Sequence, residues 1–364
     1  MSSIRGGRIL SRERLTMVTP QGALLVGSIN VPDAESAFRA ASQILGDRLK
    51  RMPDGEVGER FHWIAFQPGR LAAAAGLERV GESPTNAVTG LDQRPLRIAP
   101  GTDASTLQLP TLGYADAARG SWAVFSSLRD SGEIPAATRF QVSLPTPAAV
   151  VGSYIVAEDR AAFEPVYEAA IMRELAEILE IVPNESLAIQ WDTAVELAFI
   201  EGAGYTAKYV PWFDDVWEGV IERALQQAAA VPEQVELGYH LCYGDAGEMH
   251  FAEPVDTGNL VRLANSISSR APRKLTWIHF PVPIARDDDA YFLPLDSLSL
   301  RGATEIYLGL VHREDGVEGA QRRISAAMSH LLKFGVATEC GIGRAPAGSL
   351  FTVLETHRAV AAAW

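Results

Sequence analysis

The sequence predicts an α/β fold, a (β/α)8 TIM barrel with an insertion after its second strand, and two patterns indicate it. Eight short apolar, β-branched segments recur along the 364 residues, and most precede a longer segment with helical spacing. Near-continuous apolar strands that alternate with helices are typical of a parallel sheet buried on both faces. Eight such units in one chain favour a closed barrel over a doubly wound sheet.

The predicted elements follow one another along the whole chain. The candidate strands are residues 24–29, 48–52, 140–144, 186–191, 235–242, 274–280, 305–311 and 334–339. Helical spacing of apolar residues appears at 33–45, 163–181, 214–230, 257–267, 317–332 and 350–362. We expect residues 1–21 to be an N-terminal extension and residues 22–364 to form one catalytic barrel.

The irregular stretch 54–139 is far too long for an ordinary connection between a strand and a helix. It carries helical patterns at 62–75 and 114–129, and a segment rich in Pro, Thr and Gly at 81–110. Because it holds too few apolar clusters for a core of its own, we interpret it as an insertion on the barrel and not as a separate domain.

Composition and charge exclude several classes of protein. With 47% hydrophobic and 21% charged residues the chain is an ordinary globular protein, which excludes disorder and collagen. A formal charge of −13 would repel phosphate backbones, so nucleic acid is not an expected partner. No apolar run approaches the roughly 20 residues that span a bilayer, and the first 21 residues lack the apolar core of a secretory signal. We therefore expect a cytoplasmic protein without a membrane partner.

Chemistry in such a barrel is expected where strands end, at the C-terminal face. Polar and thiol side chains follow the candidate strands there: Ser28, Asp54, Glu56, Asp192, Glu196, His240, Cys242, Asp245, His279, His312, Glu339 and Cys340. In a reducing cytosol the chain's two cysteines are expected to be free, metal-bound or catalytic, not joined in a structural disulfide.

The most specific motif is a His-x-Cys pair with a distant cysteine. His240 and Cys242 are two residues apart at the end of a strand, so their side chains share one face. Cys340 ends another strand 98 residues later, and distant strand ends meet at one mouth of a closed barrel. One imidazole and two thiolates suit zinc with room for an exchangeable ligand. The alternative is structural, since single buried cysteines and histidines usually only pack or form hydrogen bonds.

GYHLCYGD followed by ATECGIGR resembles the His-x-Cys…Cys zinc motif of the cobalamin-independent methionine synthase family. The catalytic half of that family is a (β/α)8 barrel in one superfamily with uroporphyrinogen decarboxylase. LLVGSIN is similar to its first-strand Gly-Ser motif, RFQVSLPTPAAV to its third strand, and LAIQWDTAVE to its Gln-x-Asp-Glu-Pro-Ala strand. The resemblance covers residues 22–363. It implies that His240, Cys242 and Cys340 bind Zn2+ and that Asp192 contacts the amino group of an amino-acid substrate.

One position departs from the family pattern. Where its methionine synthases have a glutamate ligand, this chain reads KLTWIHFPVP, which puts His279 in the glutamate's place. His279 is therefore a candidate fourth metal ligand or a hydrogen-bond partner of a substrate, with a partly buried barrel histidine as the alternative. Asp-Thr-Ala-Val also stands where the family has Asp-Glu-Pro-Ala, which leaves the identity of the substrate open.

The resemblance implies a zinc-dependent alkyltransferase, and methyl transfer is the leading hypothesis. Zinc would bind a small thiol as a thiolate, which is the nucleophile. Folate-dependent members of the family are about twice as long, so we expect a corrinoid carrier or a small electrophile as the alkyl donor. The alternatives are an epoxide-opening thiol transferase of the coenzyme M transferase type, a decarboxylase-like barrel, and a non-catalytic barrel that binds zinc or a corrinoid partner.

Other residues are candidates for binding and proton transfer. In the loop MPDGEVGER, Asp54 or Glu56 could bind an ammonium group and Arg60 a carboxylate or sulfonate, although Pro-Asp-Gly is also an ordinary turn. Ser28 of the Gly-Ser motif and Tyr243 are further substrate-binding candidates. Candidates for a proton donor are His312, Tyr243 and Asp245, with His312 favoured because its ordinary pKa lies nearest neutrality.

Overall fold

The computed structural model of the chain describes residues 19–82, 86, 89–202, 209–244, 249–346 and 348–364. Its strands are β1 Ala23–Leu24, β2 Arg51–Pro53, β3 Leu77–Arg79, β4 Leu96–Ile98, β5 Arg139–Pro145, β6 Leu187–Thr193, β7 Glu236–Leu241, β8 Trp277–Pro281, β9 Glu305–Val311 and β10 Gly335–Thr338. Eight of them form a parallel sheet in the order β1-β10-β9-β8-β7-β6-β5-β2. A bridge between Ala23 and Leu49 joins its two ends, so the predicted barrel is confirmed.

Helices cover the outside of this sheet. They are α1 Ala34–Leu45, α2 Gln67–Leu71, α3 Tyr114–Asp130, α4 Pro147–Tyr154, α5 Arg160–Ile181, α6 Val195–Ile200, α7 Val216–Ala229, α8 Gly258–Arg270, α9 Asp289–Phe292, α10 Gly316–Ala327 and α11 Leu350–Val360. Neighbouring helices pack on one another, with α1 between α11 and α3, and α5 between α3 and α4. Each segment with predicted helical spacing outside the 54–139 stretch overlaps one of these helices. No helix in the described part of the chain has the length and hydrophobicity that a membrane span requires.

The segment between β2 and β5 contains an antiparallel hairpin, β3 with β4, that periodicity did not predict. The helix expected over 62–75 is short: a 3-10 turn at Gly58–His62 is followed by α2, which has five residues. Helical geometry is interrupted between them because Trp63 has a positive φ of 54°. The helix predicted at 114–129 is present as α3, and the carboxylate of Glu174 accepts hydrogen bonds from the backbone N–H groups at its start.

The barrel interior changes in character from floor to mouth. Leu24, Val26, Ala188, Trp277, Tyr307 and Ala337 form an apolar cluster across the interior. Above it, Gln190 donates to the carbonyl of Val26 at 2.6 Å and to Asp192 Oδ1 at 2.9 Å. The buried amide thereby links the packed floor to the polar mouth, where the metal-binding candidates lie.

Candidate active site

Strands β7 and β10 bring the His-x-Cys pair and the distant cysteine together. The ligand atoms of His240, Cys242 and Cys340 all lie within 4.8 Å of one another. Cys340 Sγ is 3.7 Å from Cys242 Sγ and 3.7 Å from His240 Nε2. The hydrogen bond to Cys340 holds the pKa of the Cys242 thiol well below its usual value, against the effect of burial. These three side chains could hold a metal ion.

His279 lies behind His240 and not beside the sulfur atoms. Its Nδ1 is 2.8 Å from His240 Nδ1, and its Nε2 is 3.0 Å from the carbonyl oxygen of Thr338. Burial, together with the neighbouring His240, holds the pKa of His279 well below its ordinary value, so its ring is neutral. Because a carbonyl only accepts, His279 Nε2 carries the proton and its Nδ1 accepts from His240 Nδ1–H. The geometry thus places His279 behind His240, and not at the fourth-ligand position that the sequence suggested.

This arrangement fixes the tautomer of His240. With its Nδ1 protonated, the lone pair of His240 lies on Nε2, the nitrogen that faces Cys340. A metal-binding histidine is typically held in this way by a hydrogen-bond partner on its other nitrogen. His279 therefore orients His240 through the ring edge remote from the sulfur atoms.

Asp54 and Arg60 bind each other. Arg60 Nη2 donates to Asp54 Oδ2 at 2.6 Å, and Ser121 Oγ donates to the same oxygen at 2.6 Å. Both charged side chains are buried. Neither side chain lines the cavity at the barrel mouth. The sequence suggested that they bind a substrate, but in the structure they bind each other. Their pairing shapes the loop that presents Glu56, whose backbone N–H donates to Asp54 Oδ1.

We expect the Asp54–Arg60 pair to make the folding stability depend on pH in the acidic range. Burial alone would raise the pKa of Asp54, but the charge and hydrogen bonds of Arg60 lower it below its ordinary value. Because the pKa of Asp54 is lower in the folded state than in the unfolded state, the ionised carboxylate stabilises the fold at pH values above the unfolded-state pKa of about 4. This stabilisation is lost as the pH falls through the folded-state pKa of Asp54. Urea unfolding between pH 6 and pH 3 should therefore show a steeper loss in the wild type than in Asp54→Asn. Parallel curves would contradict this assignment.

A cavity of about 440 Å3 opens beside the cysteines at the C-terminal face. Two buried carboxylates, Glu56 and Asp192, line it together with Ser28. Burial, reinforced by the nearby Asp192, raises the pKa of Glu56 to about 8. Burial also raises the pKa of Asp192 to about 6, although the hydrogen bond that Gln190 donates to it opposes that rise. At neutral pH Glu56 is therefore mostly protonated and Asp192 mostly ionised. A cationic group in the cavity would compensate the cost of burying the Asp192 carboxylate.

Backbone strain is concentrated at this cavity. Glu56 and Trp63 are the two non-glycine residues in the described part of the chain with positive φ, at 50° and 54°, and both line the cavity. Such backbone conformations persist where the surrounding structure holds them, and they cluster at functional sites. The strain therefore supports a functional assignment for this part of the 54–139 stretch.

The proton-donor candidates lie elsewhere. His312 Nε2 is 2.8 Å from the carbonyl oxygen of Val282, and the hydroxyl of Tyr243 is 3.4 Å from Glu201 Oε1. Neither side chain lines the cavity. Asp245 falls outside the described residues. The expected role of His312 as an acid is therefore not matched by its position.

Sequence reasoning missed much of the cavity wall. Arg344 lines it, with its Nη2 3.7 Å from Cys340 Sγ, and so do Tyr154, Tyr209 and Phe251. A signal for Arg344 was available, since it stands four residues after Cys340 in a glycine-rich turn. The three aromatic residues come from separate segments: Tyr154 ends α4, and Tyr209 and Phe251 lie in irregular connections, so no shared periodicity marks them.

Comparison with known proteins supports the fold. No protein-family model and no curated sequence match the chain. A solved structure from Listeria monocytogenes, named "putative vitamin-B12 independent methionine synthase", matches with a TM-score of 0.56 and 13% identity over 94% of this chain and 96% of that one. The chain shares the barrel fold of that protein. A methyltransferase from Methanosarcina mazei matches with a TM-score of 0.52 and 10% identity over 94% of each chain. Both similarities agree with the barrel fold that the sequence predicts.

Proposed function

We propose that the protein is a zinc-dependent transferase that alkylates a small thiol, with a methyl group as the transferred unit. The observation that carries this proposal is the convergence of His240, Cys242 and Cys340 beside a cavity at the barrel mouth. The names of the two structural neighbours agree with a methyltransferase. We place the reaction in the cytoplasm, where both thiols remain reduced.

The side chains fit zinc. Tetrahedral bonds of about 2.3 Å to sulfur and about 2.0 Å to nitrogen would separate the two sulfur atoms by about 3.8 Å, and sulfur from nitrogen by about 3.5 Å. Cys340 Sγ is 3.7 Å from Cys242 Sγ and 3.7 Å from His240 Nε2, and all three ligand atoms lie within 4.8 Å of one another. Three protein ligands leave a position for an external ligand, and zinc bound there would keep a substrate thiol in its thiolate form at neutral pH.

The polar lining indicates how the thiol substrate is oriented. Asp192 lines the cavity, and its carboxylate suits the ammonium group of an amino-acid thiol. The guanidinium of Arg344 lines the cavity where the sequence suggested Arg60, and it suits a carboxylate or sulfonate. The alkyl donor occupies the remaining space, either as a small molecule or as the exposed group of a corrinoid carrier.

The proposal is tested by incubating zinc-loaded protein with homocysteine, coenzyme M and cysteine, each with a panel of alkyl donors. We expect one thiol to be alkylated, as detected by mass spectrometry, and the product to disappear after zinc is removed with a chelator. Ring-opened epoxide products without methylated ones would instead support the coenzyme M transferase type. Equal alkylation with and without zinc would contradict the proposal.

We expect replacement of His279 to weaken metal binding through His240. His279→Phe removes the acceptor for His240 Nδ1–H, and loss of such a partner typically lowers metal affinity by about 10–100-fold. His279→Gln is the matched control, because its amide can accept from His240 and donate to the Thr338 carbonyl. Competition with a zinc chelator measures both affinities. An unchanged affinity in His279→Phe would contradict the positioning role.

A further inference from the structure

We propose that the alkyl donor is a small methyl-bearing onium cation, a sulfonium or quaternary ammonium compound, held against the aromatic wall of the cavity. The aromatic wall consists of Tyr154, Tyr209 and Phe251. This inference rests on the proposed thiol alkylation and names the chemical class of its donor.

The aromatic wall comes from three neighbouring positions of the barrel. Tyr154 ends α4 after β5, Tyr209 lies in the connection after β6, and Phe251 lies in the connection after β7. The rings of Tyr209 and Phe251 have centroids 4.7 Å apart and are tilted by 45°. Tyr154 lines the same cavity as these two rings. Methylated cations bind to such groups of aromatic faces through cation–π attraction.

The wall is held in place before any donor binds. The backbone N–H of Phe251 donates to the Tyr243 carbonyl at 2.6 Å, and the adjacent His250 pairs with Glu339 at 3.0 Å. The Phe251 ring lies so close to Gly244 that a β-carbon there would be 2.5 Å from it. Phe251 is thereby tied to the ends of both cysteine-bearing strands, and it lines the same cavity as Cys242 and Cys340.

The charged groups around the cavity suit a cation at the aromatic wall. Asp192 lies on β6, between the strands that precede Tyr154 and Phe251, and its carboxylate lines the same cavity as the aromatic wall. Arg344 belongs to the connection after β10. Strand β10 pairs with β1 and β9 and is not adjacent to β5, β6 or β7. The guanidinium therefore approaches from another sector of the barrel mouth, where it can bind an anionic group of the thiol substrate.

An onium donor also matches the available chemistry. The thiolate sulfur forms a bond to the methyl carbon, and the bond from that carbon to the positive sulfur or nitrogen breaks. The leaving atom keeps the electron pair and departs neutral, so charge balances and no proton is transferred. Such a reaction needs no acid, which agrees with the positions of His312 and Tyr243 outside the cavity lining.

Binding of choline and of its neutral isostere 3,3-dimethylbutan-1-ol to zinc-loaded protein tests the cation site directly. We expect choline to bind about tenfold more tightly, as followed by calorimetry. Phe251→Leu should remove most of that preference, whereas Phe251→Tyr keeps an aromatic face and should preserve it. Tyr209→Leu and Tyr209→Phe form a second matched pair. Equal binding of the two probes, or a preference that survives both leucine substitutions, would overturn the inference.

A second arm separates this inference from the proposed function. Trimethylsulfonium with the accepted thiol should yield the S-methyl product and dimethyl sulfide, with the rate lowered at least tenfold in Phe251→Leu. Alkylation that proceeds with a neutral donor but not with trimethylsulfonium would overturn the inference and leave the proposed function standing. Protein that binds no zinc and alkylates no thiol would overturn the proposed function itself, whatever the choline preference.

Discussion

Cys340→Ser is expected to lose its bound zinc and its thiol-alkylating activity together. Cys340 Sγ lies 3.7 Å from both Cys242 Sγ and His240 Nε2, so its removal leaves two ligands on one strand and none across the barrel mouth. A serine hydroxyl is a poor substitute for a thiolate as a ligand of zinc. Metal content after dialysis should fall from about one zinc per chain towards zero, and turnover should fall at least a thousandfold.

His312→Ala is the control for this substitution. His312 bonds the carbonyl of Val282 and does not line the cavity, so this variant should keep both its zinc and its turnover. A Cys340→Ser protein that retained stoichiometric zinc would contradict the assignment of the ligands. A His312→Ala protein with zinc but without activity would restore the acid role that the sequence suggested.

Arg60→Met is expected to cost about 3–5 kcal/mol of folding free energy, because it leaves the buried Asp54 carboxylate without its partner. The loss should extend to the cavity, since Asp54 also accepts a hydrogen bond from the Glu56 backbone N–H. We therefore expect weaker thiol binding in the variant as well as a lower urea midpoint. Equilibrium unfolding and thiol titration measure the two effects.

Arg97→Met provides the matched comparison within the same stretch of chain. Arg97 pairs with Glu78 on the hairpin, where both side chains are about half exposed. Exposed ion pairs contribute at most about 1 kcal/mol, so this variant should unfold close to the wild type. Equal destabilisation by the two substitutions would show that burial of the Asp54–Arg60 pair is not the cause.

The barrel, and the convergence of the candidate metal ligands at its mouth, could be predicted from the sequence. The apolar residues of a strand are enough to predict that strand. The two-residue spacing of His240 and Cys242 puts their side chains on the same face. Cys340 could be added because all strands of a parallel barrel end at the same mouth. The first strand was predicted at 24–29, but only Ala23 and Leu24 form β1, because the chain then bends until Ser28 packs against the glycines at 341 and 343.

The remaining site residues depend on distant partners that no local pattern reveals. Arg60 and Asp54 looked like groups for a substrate, and their mutual bond appears only when the loop is folded. His279 occupies the strand position of a ligand, yet the direction of its ring is set by His240 and Thr338. The aromatic wall combines three connections between strands and helices, and its members have no common spacing along the chain.

Zinc-edge X-ray absorption before and after addition of the accepted thiol tests the central claim most directly. We predict one zinc with two sulfur ligands and one imidazole from the protein, and a third sulfur ligand at about 2.3 Å once the thiol binds. The Cys340→Ser protein should give no such change. A metal whose ligands stay the same when thiol is added would show a closed structural site and would contradict the activation of a thiol at this centre.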